Sequence, residues 1–97
     1  MNGYGGKILR VDLTSGKVAT QPVDPKMARE YIGGRGFAAR IIYDEVRGVD
    51  ALSPANKVVV ASGPFAGVFL PAGGKTTFAA KSPATGIYGD SNVGGHL

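Results

Sequence analysis

Residues 73–80 read Gly-Gly-Lys-Thr-Thr-Phe-Ala-Ala, and this stretch decides the fold class of the chain. The β-branched and aromatic residues that follow Lys75 favour a strand, which we predict over Thr76–Ala80. Upstream, the apolar, β-branched run Lys57–Ala61 is typical of a strand that is covered on both faces. The segment Gly63-Pro64-Phe65-Ala66-Gly67 then breaks this run. The second half of the chain therefore predicts a β-sheet.

The same stretch is similar to the end of a P-loop, the phosphate-binding motif G-x-x-x-x-G-K-[ST]. When Gly74, Lys75 and Thr76 are aligned with the end of that motif, Phe69 stands where its first glycine is required. A P-loop also continues into a helix whose N–H groups face the phosphate, whereas the residues after Lys75 predict a strand. The sequence therefore excludes a P-loop nucleotide triphosphatase.

Towards the N-terminus, a hairpin and two helices complete the predicted fold. Alternating apolar residues predict strands over Lys7–Leu13 and Val18–Val23, joined by a Thr-Ser-Gly-Lys turn. Asp24 can cap a first helix, predicted over Pro25–Ile32, because its carboxylate can accept from free N–H groups of the first turn. Apolar residues at helical spacing predict a second helix over Phe37–Val46.

The last residues contain a turn over Ser82–Gly86 and a short strand at Ile87-Tyr88, which leads into a glycine loop at residues 89–95. A hairpin, two helices and further strands follow one another along the chain. We therefore predict an α+β fold with a mixed or antiparallel β-sheet and two short helices.

The composition limits the classes of protein that the chain can represent. Its 97 residues suffice for one small domain, and 43% hydrophobic residues argue against disorder. The net charge of +4 is scattered along the chain, so we expect no nucleic-acid partner. The sequence has no cysteine, which excludes iron–sulfur ligation by this chain. The one histidine, His96, we interpret as a surface or packing residue.

The N-terminus and the apolar runs give no sign of a membrane or secretory destination. The first ten residues lack the apolar core of a signal peptide, and no apolar run reaches the ~18 residues of a membrane span. We therefore expect a cytoplasmic chain with no membrane partner.

Two glycine-rich segments near the C-terminus are the best candidates for binding chemistry. Gly73–Lys75 and Asp90–Gly95 combine glycines, whose N–H groups can approach a ligand closely, with a lysine charge suited to phosphate. Within the second segment, the short polar side chains of Asp90–Asn92 can also hold a cation. The sequence therefore predicts an anion site that is built largely from backbone.

Two other segments are interpreted as structural. Gly33–Gly36 joins the predicted helices, and we favour a helix end and restart over a second anion site. Asp44 and Glu45 are the one adjacent pair of carboxylates, and we expect both to be solvated on the polar side of the second helix. No serine–histidine–acid or cysteine–histidine arrangement is available for nucleophilic catalysis.

Seven short motifs resemble, in order and spacing, the N-terminal domain of aldehyde:ferredoxin oxidoreductases. They cover nearly the whole chain, which makes the resemblance specific. The motifs are Gly-Lys-Ile-Leu-Arg-Val-Asp-Leu-Thr-Ser-Gly (6–16), Tyr-Ile-Gly-Gly-Arg-Gly (31–36), Leu-Ser-Pro-Ala-Asn-Lys (52–57), Ala-Ser-Gly-Pro (61–64), Gly-Gly-Lys (73–75), Ala-Lys-Ser-Pro-Ala-Thr-Gly (80–86) and Ser-Asn-Val-Gly-Gly (91–95).

The resemblance implies a fold, a set of cofactors and an activity. Enzymes of this family are several times longer and oxidise aldehydes to carboxylic acids, passing the electrons to ferredoxin. They hold tungsten, or molybdenum, through two molybdopterin dithiolenes, with a magnesium ion between the pterin phosphates and a [4Fe–4S] cluster nearby. Their N-terminal domain is a β-rich base on which the bis-pterin cofactor lies, and later domains supply the cluster cysteines.

The resemblance also implies three cofactor-binding residues. Lys75 stands where the family usually has an arginine that contacts a pterin phosphate, so the charge is kept and the bidentate fork is lost. Asn92 matches an asparagine near the phosphates and the magnesium ion, and Gly94 matches a glycine whose backbone approaches the cofactor. The motif at Gly33–Gly36 matches the family as well, without an implied ligand role.

These observations give one main hypothesis and one alternative. Residues 1–97 are expected to be an incomplete N-terminal portion of the family's first domain, inactive alone and without tightly bound tungsten or iron–sulfur cluster. A loosely held phosphate is expected at Lys75 and Asn92–Gly95, and exposed strands are expected to make the chain self-associate. The alternative is a stand-alone, non-catalytic interaction module of the same fold.

Overall fold

The computed structural model describes residues 4–66, 71 and 73–94. The predicted roles of Gly95 and His96 therefore lie outside the described residues. Among those described, five strands and two helices follow one another along the chain. They are β1 Lys7–Asp12, β2 Lys17–Pro22, α1 Pro25–Tyr31, α2 Gly34–Glu45, β3 Val59–Ser62, β4 Lys75–Lys81 and β5 Tyr88–Gly94.

The N-terminal hairpin pairs β1 with β2 in antiparallel register, with Val11 opposite Val18. Gly16 closes its turn at a φ of 74°, in the left-handed region that glycine adopts without strain, and its N–H donates to the carbonyl of Asp12 at 2.8 Å. The predicted hairpin is therefore confirmed.

The two helices also form where capping and periodicity place them. The Asp24 carboxylate accepts from the N–H of Lys26 at 3.0 Å, and Pro25 occupies the first turn of α1. Helix α2 begins at Gly34, three residues before the predicted start, because the glycines of the connecting turn continue directly into it.

The second sheet has the strand order β3-β4-β5, with both pairs antiparallel. Helix α2 packs on one face of this sheet, where Ala38, Ile42 and Val46 meet Ala79 of β4 in one buried cluster. A second cluster of Val23, Ala28 and Phe37 joins the hairpin side to the two helices. The chain is thus α+β, as predicted, with two small antiparallel sheets among the described residues instead of one.

One strand prediction needs correction, and one expectation about exposed strand surface is met. Strand β5 runs through Tyr88–Gly94, where a glycine loop was expected, because pairing with β4 overrides the turn-forming residues. The exposed apolar surface that was expected at β3 is present, since Val58, just before β3, is 72% exposed and Val60 is 55% exposed on the side away from α2. No helix within the described parts of the chain is long and apolar enough to cross a membrane.

Candidate anion site

The three residues predicted to bind a cofactor lie together at one end of the second sheet. Lys75 begins β4 and faces Gly94 near the end of β5, while Asn92 faces Thr77 two positions further along. A methyl group built on Gly94 would lie 3.6 Å from the ammonium Nζ of Lys75 and 3.6 Å from the carbonyl oxygen of Gly74. The lysine charge therefore lies beside a strand end that presents backbone without a side chain.

A buried threonine fixes the asparagine of this group. Thr77 is 3% exposed, and its Oγ1 donates to Oδ1 of Asn92 at 2.8 Å. Asn92 itself is exposed. The bond uses one of the lone pairs that a magnesium ion would need on this side chain.

The Gly33–Gly36 turn lies against the same end of the sheet. A methyl group on Gly33 would lie 3.2 Å from Cα of Gly63, from Cδ of Pro64 and from the carbonyl of Ser62. One on Gly34 would lie 3.9 Å from Oγ1 of Thr77. Four of the sequence motifs therefore converge, and we call this region the glycine end; it comprises Gly33–Gly36, Ser62–Pro64, Lys75, Thr77 and Asn92–Gly94.

The turn itself is tightly constrained. Ile32 has a φ of 70°, and the N–H of Gly33 donates to the carbonyl of Tyr31 at 2.7 Å, which together form a γ-turn of the strained kind. A methyl group on Gly36 would come within 2.1 Å of the same Tyr31 carbonyl oxygen. The predicted helix end and restart is therefore only part of this motif's role, since its glycines also permit close backbone approach.

An ion pair links the turn to β5. Nε of Arg35 lies 2.8 Å from Oδ2 of Asp90, and the hydroxyl of Tyr88 donates to the same oxygen at 2.7 Å. Burial, followed by this hydrogen bond, raises the pKa of Tyr88 to about 12. The phenol is therefore a proton donor to Asp90 throughout the neutral range. Sequence patterns missed this cluster because Arg35 and Asp90 are 55 positions apart along the chain.

The expectation that Glu45 is solvated is wrong. Nη1 and Nη2 of Arg10 donate to its two carboxylate oxygens at 2.8 and 2.7 Å, and Lys57 contacts the same carboxylate. Hydrogen bonds from Arg10 are the largest cause that lowers the pKa of Glu45 to about 2. We call Arg10, Glu45 and Lys57 the hairpin junction, because they join β1 to α2 and to the segment before β3. Asp44 keeps its expected exposed position, paired with Arg40 at 2.8 Å.

The groups at the glycine end are of the kinds that suit an anion. The glycine end combines an ammonium group, an exposed glycine and an amide, which are groups that suit phosphate oxygens. Within residues 4–66, 71 and 73–94, no three histidine, cysteine or acidic side chains come close enough together to hold a metal ion.

Comparison with known proteins places the chain in a family. Residues 8–97 match the family described as "Aldehyde ferredoxin oxidoreductase, N-terminal domain". A tungsten-containing aldehyde ferredoxin oxidoreductase from Pyrococcus abyssi is 40% identical over the whole chain, which spans 16% of that relative's length. An aliphatic sulfonate oxidoreductase, WOR-like subunit, from Pyrococcus furiosus is 34% identical over 92% of the chain and 15% of the relative.

A solved structure agrees with the sequence relatives. The active site complex BamBC of benzoyl coenzyme A reductase, determined with 1,5-dienoyl-CoA, superposes with a TM-score of 0.89. It is 32% identical, and the match covers 94% of this chain and 14% of that one. The fold, the motifs and the sequence identity agree along nearly the full chain. The chain therefore belongs to the aldehyde ferredoxin oxidoreductase N-terminal domain family.

Proposed function

We propose that this chain is an incomplete N-terminal portion of a tungsten or molybdenum bis-molybdopterin oxidoreductase, and that its glycine end binds the phosphate end of the pterin. The observation that carries the proposal is the position of the Lys75 ammonium group beside the bare backbone of Gly94. Lys75 would supply the charge, Asn92 an amide, and Gly94 an unobstructed backbone.

The chemistry of these donors fits a phosphate and does not extend to the metal or the cluster. The dithiolene sulfurs of a bound pterin would hold the tungsten, so the chain needs only to orient the cofactor and screen its charge. Asn92 would be the residue of this chain nearest to a magnesium ion, to which the described residues would contribute few ligands. A [4Fe–4S] cluster would require thiolates from outside these residues, since the chain has no cysteine.

The substrate is set elsewhere in the full-length protein. Relatives of similar identity are named for aldehydes and for aliphatic sulfonates, and the structural neighbour for a coenzyme A thioester. A domain shared by such different reactions fits a common role in holding the cofactor. For the complete enzyme we propose oxidation of an aldehyde to a carboxylic acid with ferredoxin as the electron acceptor, since the first relatives carry that name.

Phosphate titration tests the binding site directly. In the 97-residue chain, inorganic phosphate is expected to shift the amide resonances of Gly73–Thr76 and Asn92–Gly94 together, with an affinity that falls as ionic strength rises. Lys75→Ala should abolish the response because it removes the charge. Lys81→Ala is the matched control, since it removes the same charge from the opposite end of β4. Equal loss in both variants, or shifts confined to other residues, would refute the assignment.

The second candidate function is a non-catalytic interaction module, and one surface favours association. Val58, Val60 and Val93 are 72%, 55% and 37% exposed on the sheet face opposite α2. We propose that the isolated chain self-associates through this face, so sedimentation at high micromolar concentration should show a dimer or larger species. Val60→Lys should shift that equilibrium towards monomer, and a wild-type monomer would refute self-association.

The coding sequence tests the interaction module separately. A reading frame that continues into later cysteines would refute the module.

A further inference from the structure

Arg35 occupies an unusual position for an exposed arginine. It lies in the first turn of α2, and its side chain is 64% exposed, while its partner Asp90 is only 16% exposed. The carboxylate oxygen Oδ2 of Asp90 accepts from Tyr88 as well as contacting Nε of Arg35. The acidic group is thus the one held in place, and Arg35 is the cation that neutralises it.

Asp90 belongs to the same strand face as the predicted ligand residues. Side chains two positions apart on a strand point the same way and lie ~7 Å apart, so Asp90, Asn92 and Gly94 share one face. That face is turned towards α2, because Ala79, which pairs with Asp90, is part of the core beneath this helix. Strand β5 is therefore tied to α2 at Asp90 and to β4 at Asn92, before it reaches Gly94.

The charge of Asp90 bears directly on an anion bound nearby. A carboxylate within ~8 Å of a phosphate is not fully screened at physiological ionic strength. Without a partner, Asp90 would repel an anion at Asn92 and Gly94. Its neutralisation therefore matters for any ligand that carries a phosphate.

We propose that Arg35 is a positioning residue of the anion site, acting through Asp90: it neutralises this carboxylate and holds it to α2, so that β5 can present Asn92 and Gly94 to a phosphate group. This inference rests on the proposed function. It gives a task to the Gly-Gly-Arg-Gly motif, which turns sharply enough to bring Arg35 over β5.

The test is a double-mutant cycle in the 97-residue chain, with inorganic phosphate as the probe and amide shifts of Asn92–Gly94 as the readout. Arg35→Gln is expected to raise the Kd for phosphate about three- to tenfold at fixed ionic strength, because a charge-assisted pair is lost. Arg35→Lys should restore the Kd to within about twofold of the wild type, since it keeps the charge. The matched control, Arg29→Gln, removes the same charge from α1 and should leave the Kd unchanged.

The double variant, which combines Arg35→Gln with Asp90→Asn, decides whether Arg35 acts through Asp90. In an Asp90→Asn background, Arg35→Gln should no longer change the Kd. If Arg35→Gln still raises the Kd for phosphate in the Asp90→Asn background, Arg35 contacts phosphate itself. If Arg35→Gln alone leaves the Kd unchanged, Arg35 has no role in the site. Either result overturns the inference. If Arg35→Gln does not fold, Arg35→Ala replaces it, because alanine has the higher helix propensity. If the amide resonances of the wild-type chain do not shift when phosphate is added, the proposed function itself is overturned, whatever the variants show.

Discussion

The hairpin junction and the glycine end both join segments that are distant in the sequence. The junction does so through charged side chains, and the glycine end through close approach of backbone. At the junction, Glu45 receives two hydrogen bonds from Arg10 and a contact from Lys57, so side chains hold three segments together. At the glycine end, Gly33 lies against Ser62–Pro64 with no side chain between them. At the hairpin junction, the charged groups pair with one another. The glycine end leaves an ammonium group and backbone exposed, which is what a binding site requires.

The largest expected effect breaks the glycine end. Gly36→Ala places a methyl group 2.1 Å from the carbonyl oxygen of Tyr31, a backbone atom that cannot rotate away. We expect the free energy of unfolding to fall by at least ~3 kcal/mol, because the turn before α2 must open. Urea unfolding followed by circular dichroism measures the loss.

A second glycine serves as the control for that experiment. Nothing lies within 4 Å of a methyl group built on Gly5, so Gly5→Ala should change the free energy of unfolding by less than ~0.5 kcal/mol. A Gly36→Ala chain as stable as the Gly5→Ala chain would show that the turn does not pack as closely as the structure indicates.

A smaller effect is expected at the hairpin junction, where the free energy of unfolding should depend on pH through Glu45. The folded-state pKa of Glu45 is lowered to about 2 from an ordinary value of 4.5, so its contribution to stability is complete above pH 4.5. It should be lost progressively as the pH falls from 4.5 towards 2. Allowing for solvent screening around partly exposed partners, we expect the loss to be about 1–2 kcal/mol.

Glu45→Gln isolates this contribution. The variant should be about 1–2 kcal/mol less stable than the wild type at pH 6, and the difference should shrink as the pH approaches 2. The control is Asp44→Asn, which removes a neighbouring exposed carboxylate and should leave the acid dependence intact. Parallel stability curves for wild type and Glu45→Gln between pH 6 and 2 would contradict the assignment.

The same contrast explains what the sequence could predict. The hairpin, the helices and β4 follow from local patterns, such as the cap at Asp24 and the β-branched residues after Lys75. Strand β5 could not be predicted because its glycines and short polar residues favour turns, and only pairing with β4 makes it a strand. The ion pairing of Glu45 was missed because its partner Arg10 lies 35 positions away.

The candidate binding residues show the same division between what local sequence patterns predict and what contacts between distant segments decide. Glycine and lysine chemistry singled out the segments that contain Lys75, Asn92 and Gly94, the resemblance gave these residues their implied roles, and the structure brings them to one end of the second sheet. Arg35 and Asp90 were visible as residues, yet their pairing depends on how α2 crosses the sheet. Contacts between distant segments leave no periodic signal in a single sequence, so such pairs appear only in three dimensions.

The bond between Thr77 and Asn92 has a further consequence for how the chain assembles correctly. Strand β5 is poor in bulky apolar residues, and such strands are prone to pair one position out of alignment. A shift by one position would turn Asp90, Asn92 and Gly94 to the opposite face of the sheet, away from Arg35 and Lys75. A shift that brings Val93 opposite Thr77 would leave this buried hydroxyl without its side-chain acceptor, so the bond to Asn92 selects against that misfolded form.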